Sequence, residues 1–419
     1  LGDVYKRQVM EVTCIRCKKV TTLPVAIELV DFACGYCGNH TAYNKDANGA
    51  FVKKFEYHPD KRIGLNVGQQ GELFGVKYTV TGMLVKRVAG TFYWKEFILD
   101  GDNGQRAFLS ESNGHWIFLE EEPDQPDITH MPDVIYYQNT RFQLYGDEKV
   151  TLAYAEGVFD YELPRKSQKM IEYINPPYIL SFERDEDSLT LFVGRHVSSA
   201  KVAKAFGISW MPNKEGIGVV QPPLVNFTNS ILILAVTALL LIFSHIFIYR
   251  DKVQENLLGD SIHFAQYSDK EYVSKPFEVK GATGTLRINL AADVDNTWAY
   301  VDVGLVNEIT GTEEYIGKDI EYYYGYEGGE NWREGDNEAK MFLCGVAPGK
   351  YHLTLKPQKD AQDAKTTVVN VDVTWNPPTK RNVIIPIIFM ALVGFGLYKW
   401  ASYTERKRWE DSDYSPFDE

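Results

Sequence analysis

The chain has 419 residues, 57 acidic against 44 basic, and a formal net charge of −13. That balance excludes a generally basic nucleic-acid binder, and 44% apolar with 24% charged residues excludes global disorder. Aromatic residues reach 13%, with 26 tyrosines, which suits β-sheets better than helical bundles, and five cysteines are too few for a disulfide scaffold.

Leu1–Gln8 reads LGDVYKRQ, similar to a translated sequencing-adapter remnant, so residues 1–9 are set apart from the fold and the natural start is expected at Met10. No apolar run of a signal peptide follows, and the N-terminal region is expected to begin in the cytosol. Residues 10–45 then carry Cys14-Ile15-Arg16-Cys17 and, after sixteen residues, Cys34-Gly35-Tyr36-Cys37. Two C-x-x-C turns each aim two thiolates at one point, and together they close a tetrahedron around Zn²⁺. The expected ligands are therefore Cys14, Cys17, Cys34 and Cys37, with Val20–Phe32 as the hairpin of a zinc ribbon. A thioredoxin-like redox pair at Cys34 and Cys37 is the competing reading, and it lacks the βαβ context that chemistry needs. Four sulfur ligands leave no open position, so the zinc is expected to be structural. Arg16, Lys18 and Lys19 read as a solvated face, and no nucleic-acid partner is expected.

Asn39–Phe55 is polar and reads as a linker. Residues 60–210 follow as a cytosolic β-rich domain, with runs of alternating apolar and polar residues such as Val76–Val80, Phe92–Leu99, His115–Leu119 and Leu189–Val193. Asp100–Gly104 is a hairpin turn or, less consistently with its spacing, a calcium loop. Glu120-Glu121-Glu122 reads as a solvated connection, and Ser199–Gly207 as a short helix with a serine at its start and a glycine at its end. No Gly-x-Ser-x-Gly elbow, phosphate loop or His-Glu-x-x-His occurs. His196, after Arg195 at a strand end, is a general base or a hydrogen-bonded structural residue, and no catalytic residue is assigned.

Gly71, Tyr78-Thr79-Val80, Gly82, Trp94, Leu99, Gly104, Leu109 and Trp116 resemble the first half of the bacterial domain-of-unknown-function family 4178. Ala155-Glu156-Gly157, Glu162-Leu163-Pro164 and Gly194-Arg195-His196-Val197 are similar to its second half, so that the resemblance covers Asn66–Phe206. It implies a small barrel-like β-domain without established catalytic residues, and an association with envelope stress and polyamine synthesis.

Ser230–Ile248 holds nineteen residues without a formal charge, long enough to cross a bilayer as a helix. Val383–Tyr403 is a second such segment, with Arg406-Lys407-Arg408 after it. The predicted spans are 230–249 and 383–403, with a cytosolic tail at 404–419. Lys and Arg near the spans do not decide orientation, and the thiolate-rich N-terminus assigns both termini to the cytosol of a bacterial inner membrane. Residues 250–381 between the spans show six or more short alternating strands, an extracytoplasmic β-sandwich or jelly roll. Within it Asp251–Thr379 holds 22 acidic and 12 basic residues. Tyr322, Tyr323, Tyr324, Tyr326 and Trp332 form a glycan- or peptide-binding face or pack a core and cover a sheet edge.

The fold class expected is mainly β: a zinc ribbon, a barrel-like domain, two transmembrane helices and a sandwich. The expected function is that of a non-catalytic scaffold or sensor, anchored in the lipid bilayer, with protein partners in the membrane or cytosol and a role in envelope-stress maintenance. The alternative is an enzyme or enzyme subunit acting on a polyamine- or lipid-related substrate. Carboxylates or histidines converging in a deep pocket favour the enzyme, and shallow β-surfaces the scaffold.

Overall fold

The structure is a computed structural model that describes residues 9–45, 48–60, 63–185, 188–250, 252–267, 270–377 and 379–417; the adapter-like Leu1–Gln8 lies outside them. The chain divides into two compact units, residues 1–230 with 395–419, and residues 231–394.

The first unit opens with β1 (Met10–Thr13), β2 (Val20–Leu23), β3 (Asp31–Ala33), β4 (Asn39–Tyr43) and β5 (Gly49–Lys54). Each cysteine knuckle sits in a hairpin of its own, β1 with β2 and β3 with β4. Val20–Phe32 is thus not the ribbon's hairpin, because β2 and β3 pair outward with different partners. Nor is Asn39–Phe55 a linker, since β4 and β5 pair in register from Asn39–Lys54 to Tyr43–Gly49.

Nine further elements follow in chain order: β6 (Gln70–Leu73), β7 (Val76–Val88), β8 (Phe92–Gly101), β9 (Arg106–Ser112), β10 (His115–Glu122), β11 (Val134–Tyr137), β12 (Thr140–Phe159), β13 (Gln168–Asn175) and β14 (Tyr178–Arg184). β15 (Leu189–Val197) and α1 (Ser199–Phe206) complete the domain. Asp100–Gly104 is a hairpin turn, with Asp100 opposite Arg106 across β8 and β9. The acidic run at Glu120–Glu122 is the end of strand β10, not a connection.

The strand order β12-β13-β14-β15-β10-β9-β8-β7 returns to β12, so eight antiparallel strands close a barrel. One strand makes the closure: β12 pairs β13 through residues 143–150, then turns to pair β7 through 151–157. Register shifts at Leu144/Gly146 and Leu152/Tyr154 mark its bends, as bulges do at barrel corners. At the end of β12, Gly157–Phe159 pairs β3, joining the second knuckle to the barrel wall.

Alternation along the strands places the apolar cores outside the barrel. Trp116, Phe97, Phe118 and Leu99 share a core with Phe55, Ile63, Leu65, Val202 and Phe206 of α1, and Ile208. Tyr173, Phe182, Leu180 and Leu191 face Ile128, Ile135, Phe142 and Leu144. α1 is capped by Ser198, whose Oγ accepts from the Lys201 amide, and ends on Gly207 in the left-handed region. A Cβ at Gly71 would lie 2.5 Å from the Phe206 ring, so glycine there lets α1 seat on β6.

Among the described residues, α2 (Phe227–Tyr249) and α4 (Arg381–Arg408), which flank the elements of the second unit in sequence, are the two helices long and apolar enough to cross a membrane. Asn226 caps α2 by accepting from the Asn229 amide. None of the α2 residues is buried, and Phe247 is 78% exposed, so the described residues leave the apolar surface of α2 largely uncovered.

Between these helices lie β16 (Glu255–His263), α3 (Phe264–Tyr267), β17 (Tyr272–Val273), β18 (Phe277–Val279), β19 (Gly284–Ala292), β20 (Thr297–Asn307) and β21 (Glu313–Glu327), then β22 (Glu330–Asp336), β23 (Glu338–Val346), β24 (Gly349–Lys359) and β25 (Val368–Trp375). They form two antiparallel sheets, β16-β25-β19-β23 and β17-β24-β20-β21-β22, with β18 also on β24. Leu286, Ile288 and Leu290 of β19 alternate with polar neighbours and meet Val301, Val303, Leu353 and Leu355 in one core, giving a sandwich. β21 and β22 pair from Glu321–Asp336 to Glu327–Glu330 around a turn at Gly328-Gly329.

Candidate functional site: the barrel lumen and the cysteine cluster

The lumen collects the inward residues of seven barrel strands around a cavity of about 380 Å³. Its apolar wall includes Leu84, Phe108, Ile117, Leu119, Ile179 and Phe192. Its polar wall holds Lys86 on β7, Glu96 on β8, Glu121 on β10, Glu172 on β13 and Glu183 on β14. Lys86 is only 6% exposed and reaches across the interior: its Nζ lies 2.9 Å from Glu96 and also pairs with Glu183. Trp94 Nε1 donates to Glu96 at 2.7 Å, and Arg106 pairs with Asp160 at the rim. Burial opposes a charge on Lys86, but the carboxylates of Glu183 and Glu96 outweigh it and hold the ammonium protonated.

Glu172 differs from its neighbours. Among the described residues it makes no hydrogen bond or ion pair, and burial, reinforced by the negative charge of Glu96, pushes it up to about 7. The lumen therefore contains an ion network with more carboxylates than cations, Lys86 between Glu96 and Glu183, and two further carboxylates, Glu121 and Glu172, with no ion pair among the described residues. Burial likewise raises Glu183, with Lys86 acting against it.

The four cysteines assigned from sequence come together. Cys14 Sγ lies 3.7 Å from Cys37 Sγ, Cys17 Sγ lies 3.6 Å from Cys34 Sγ, and all four sulfurs fall within 4.8 Å of one another. Each knuckle is built by its own backbone, with the Lys18 amide donating to Cys14 O and the Gly38 amide to Cys34 O. Both of these contacts join one knuckle to the other, so the four sulfurs form a single cluster. All four cysteines are free thiols. A metal ion fits the cluster, and it would neutralise thiolates in a partly buried place. Behind the second knuckle, the fully buried His40 and Asp31 pair at 2.8 Å, and Asp31 also accepts from the Leu163 amide.

His196 lies on β15 opposite Ile117. Burial lowers it to about 4, helped by Lys214, His115 and Arg408, which favours the uncharged imidazole at neutral pH. The aromatic set of the second unit is divided by its register. Tyr322, Tyr324 and Tyr326 share one face of β21, and Tyr323 the other, while Trp332 stands opposite Gly325 and packs on it. Tyr324 donates to Asp295, and Tyr326 is 71% exposed.

The last turn of α4 returns to the first unit. Arg408 is 3% exposed and donates to the carbonyls of Gly218, Val219 and Gln221 at 2.7–2.8 Å. Trp409 packs on Tyr145 with ring centroids 5.2 Å apart, and Tyr145 Oη donates to Arg408 O. Arg408 is thus a buried docking residue and not, as the run Arg406-Lys407-Arg408 suggests, a charge at an interface.

Fold and site together define an eight-stranded antiparallel barrel with a charged lumen, joined to a four-cysteine cluster and two apolar helices. The family described as Domain of unknown function (DUF4178) matches residues 66–199, which bears out the resemblance read over that segment. No curated protein matches the chain. The chain is similar at low level to the infectious bursal disease virus VP2 subviral particle, with 10% identity, 85% of this chain and 69% of that chain covered, and a TM-score of 0.18. Against the Cry4Aa toxin from Bacillus thuringiensis the values are 11%, 84%, 52% and 0.17. Against the CBM22 tandem domain of Paenibacillus barcinonensis Xyn10C they are 9%, 70%, 93% and 0.15, and similarity at these scores carries no argument.

Proposed function

We propose that the protein is a two-pass membrane sensor or scaffold whose barrel domain is fixed to the second span. The observation that carries this reading is the docking of Arg408 and Trp409, at the end of α4, on the domain that precedes α2. With two spans the termini share one side of the bilayer and residues 252–377 face the other. The thiolate cluster supports a barrel side in the cytosol of a bacterial cell, where zinc is supplied and cysteines stay reduced. Zinc suits the cluster: four sulfurs at ~2.3 Å from a tetrahedral centre stand ~3.8 Å apart, close to the 3.6 and 3.7 Å separations. Protein partners and a part in envelope-stress maintenance belong to this reading, and the exposed tyrosines of β21 offer a glycan- or peptide-sized face outside.

Cys344 is exposed on β23 of the sandwich and provides the orientation test without a new residue. An impermeant maleimide should label Cys344 in intact cells and spare a cysteine placed at Ser415 in a Cys344→Ser background. The opposite pattern reverses the orientation.

A second reading, an enzyme acting on an amine- or lipid-related substrate, is favoured by one observation: Glu96, Glu172 and Glu183 converge in a deep cavity. Removal of residues 409–417 separates the two: cellular function lost with membrane insertion intact supports the sensor, and function retained supports the enzyme.

A further inference from the structure

We propose that the barrel lumen binds a small aliphatic ammonium ion, its charged head against Glu172 and its chain along the apolar wall. Eight-stranded barrels have room inside for side chains alone or for one small ligand. Here the cavity of about 380 Å³ lies within the range of small-molecule sites.

The lining decides the chemistry of the occupant. An anion finds no free cation, because Lys86 is engaged by Glu96 and Glu183 and Arg106 by Asp160. A hard metal ion calls for six or more oxygen ligands around one point, and half of this wall is aliphatic or aromatic. A neutral ligand leaves Glu172 uncompensated. An ammonium head on an alkyl chain meets both requirements: a charge partner for Glu172, and contact with Leu84, Ile117, Leu119 and Ile179. The groups that face Glu172 electrostatically are Glu96 and Lys86 from β8 and β7, Glu183 from β14 and Glu148 from β12. Three of these four are acidic, which adds to the preference for a cation. The inference stands apart from membrane topology and from the sensor reading, since a ligand-filled barrel serves either a sensor or an enzyme.

The test is calorimetric titration of the full chain, in nanodiscs of phosphatidylglycerol alone, with n-pentylammonium, 1-pentanol and pentanoate. Pentylammonium should bind at one site, with the other two at least tenfold weaker. At pH 6.5 binding should release a proton, read as a dependence of the measured heat on buffer ionisation enthalpy, because the ammonium selects ionised Glu172. Glu172→Gln should weaken pentylammonium about tenfold while leaving the fold intact by thermal melting. Phosphatidylethanolamine in the nanodisc should compete if the natural ammonium is a lipid headgroup and leave binding unchanged if it is a free amine. Equal binding of pentanol, or no proton release by the unaltered protein, overturns the proposal.

Discussion

Arg408 at the end of the second apolar helix donates at 2.7 Å to the carbonyl of Gly218, a residue of the segment that leads into the first. Both ends of the helical hairpin are thereby held by the same domain. The three carbonyls at Gly218, Val219 and Gln221 are satisfied by one planar guanidinium, a geometry that an ammonium does not reproduce.

Arg408→Lys is therefore expected to release the tail almost as fully as Arg408→Ala. Each hydrogen bond from a charged group contributes about 1.5–3 kcal/mol, and the buried carbonyls lose their donors. Limited proteolysis should show faster cleavage near Ser412 in both variants. If Lys protects the tail as well as Arg does, the fork geometry is not what holds it.

The Cys cluster, the two apolar helices, the sandwich and most barrel strands could be read from sequence, because each depends on local spacing or alternation. The lumen could not. Lys86, Glu96, Glu172 and Glu183 lie on four strands and meet only through barrel closure. The signal present is a charge set inside an apolar run, as with Glu172 between Ile171 and Tyr173. β22 was missed for the opposite reason: all of its residues are exposed, so no burial pattern marks it. β13 combines inward Glu172 with outward Ile171 and Tyr173, and its polar face hid the strand.

The metal cluster should show its role in stoichiometry. Cys34→Ser is expected to lower bound metal from about one ion per chain to none, since a three-thiolate remnant is a poor site. Elemental analysis of the purified full chain checks this. Retention of a full equivalent would place the metal elsewhere.

Glu172 gives stability a specific pH dependence. Its folded value, about 7 against an ordinary 4.5, means that the folded chain holds this proton where the unfolded chain has lost it. Stability from this group is thus full below about pH 4.5 and lost as pH rises through 7, by at most about 3 kcal/mol at 1.36 kcal/mol per pH unit. Glu172→Gln keeps the shape without the charge. The variant should melt higher than the parent at pH 8 and show a much smaller advantage at pH 5. An equal difference at both pH values would remove Glu172 from the account.

The seam that closes the barrel offers the sharpest test of the fold. Gly157 on β12 has φ +115°, a region that side chains rarely enter, and a Cβ there would stand 2.3 Å from Thr81 O and 2.6 Å from the Gly82 Cα. These are backbone atoms of β7, so relief requires moving one wall of the barrel. Gly146 lies on the same strand at a bend, and a Cβ there meets nothing within 4 Å. Gly157→Ala is expected to cost about 2–5 kcal/mol, combining backbone strain with overpacking, while Gly146→Ala stays within about 0.5 kcal/mol. Denaturant midpoints of the two variants, with unchanged slopes, measure the contrast directly. If both alanines cost the same, the close approach of β12 to β7 is not what fixes the seam, and barrel closure must rest on the ladder hydrogen bonds alone.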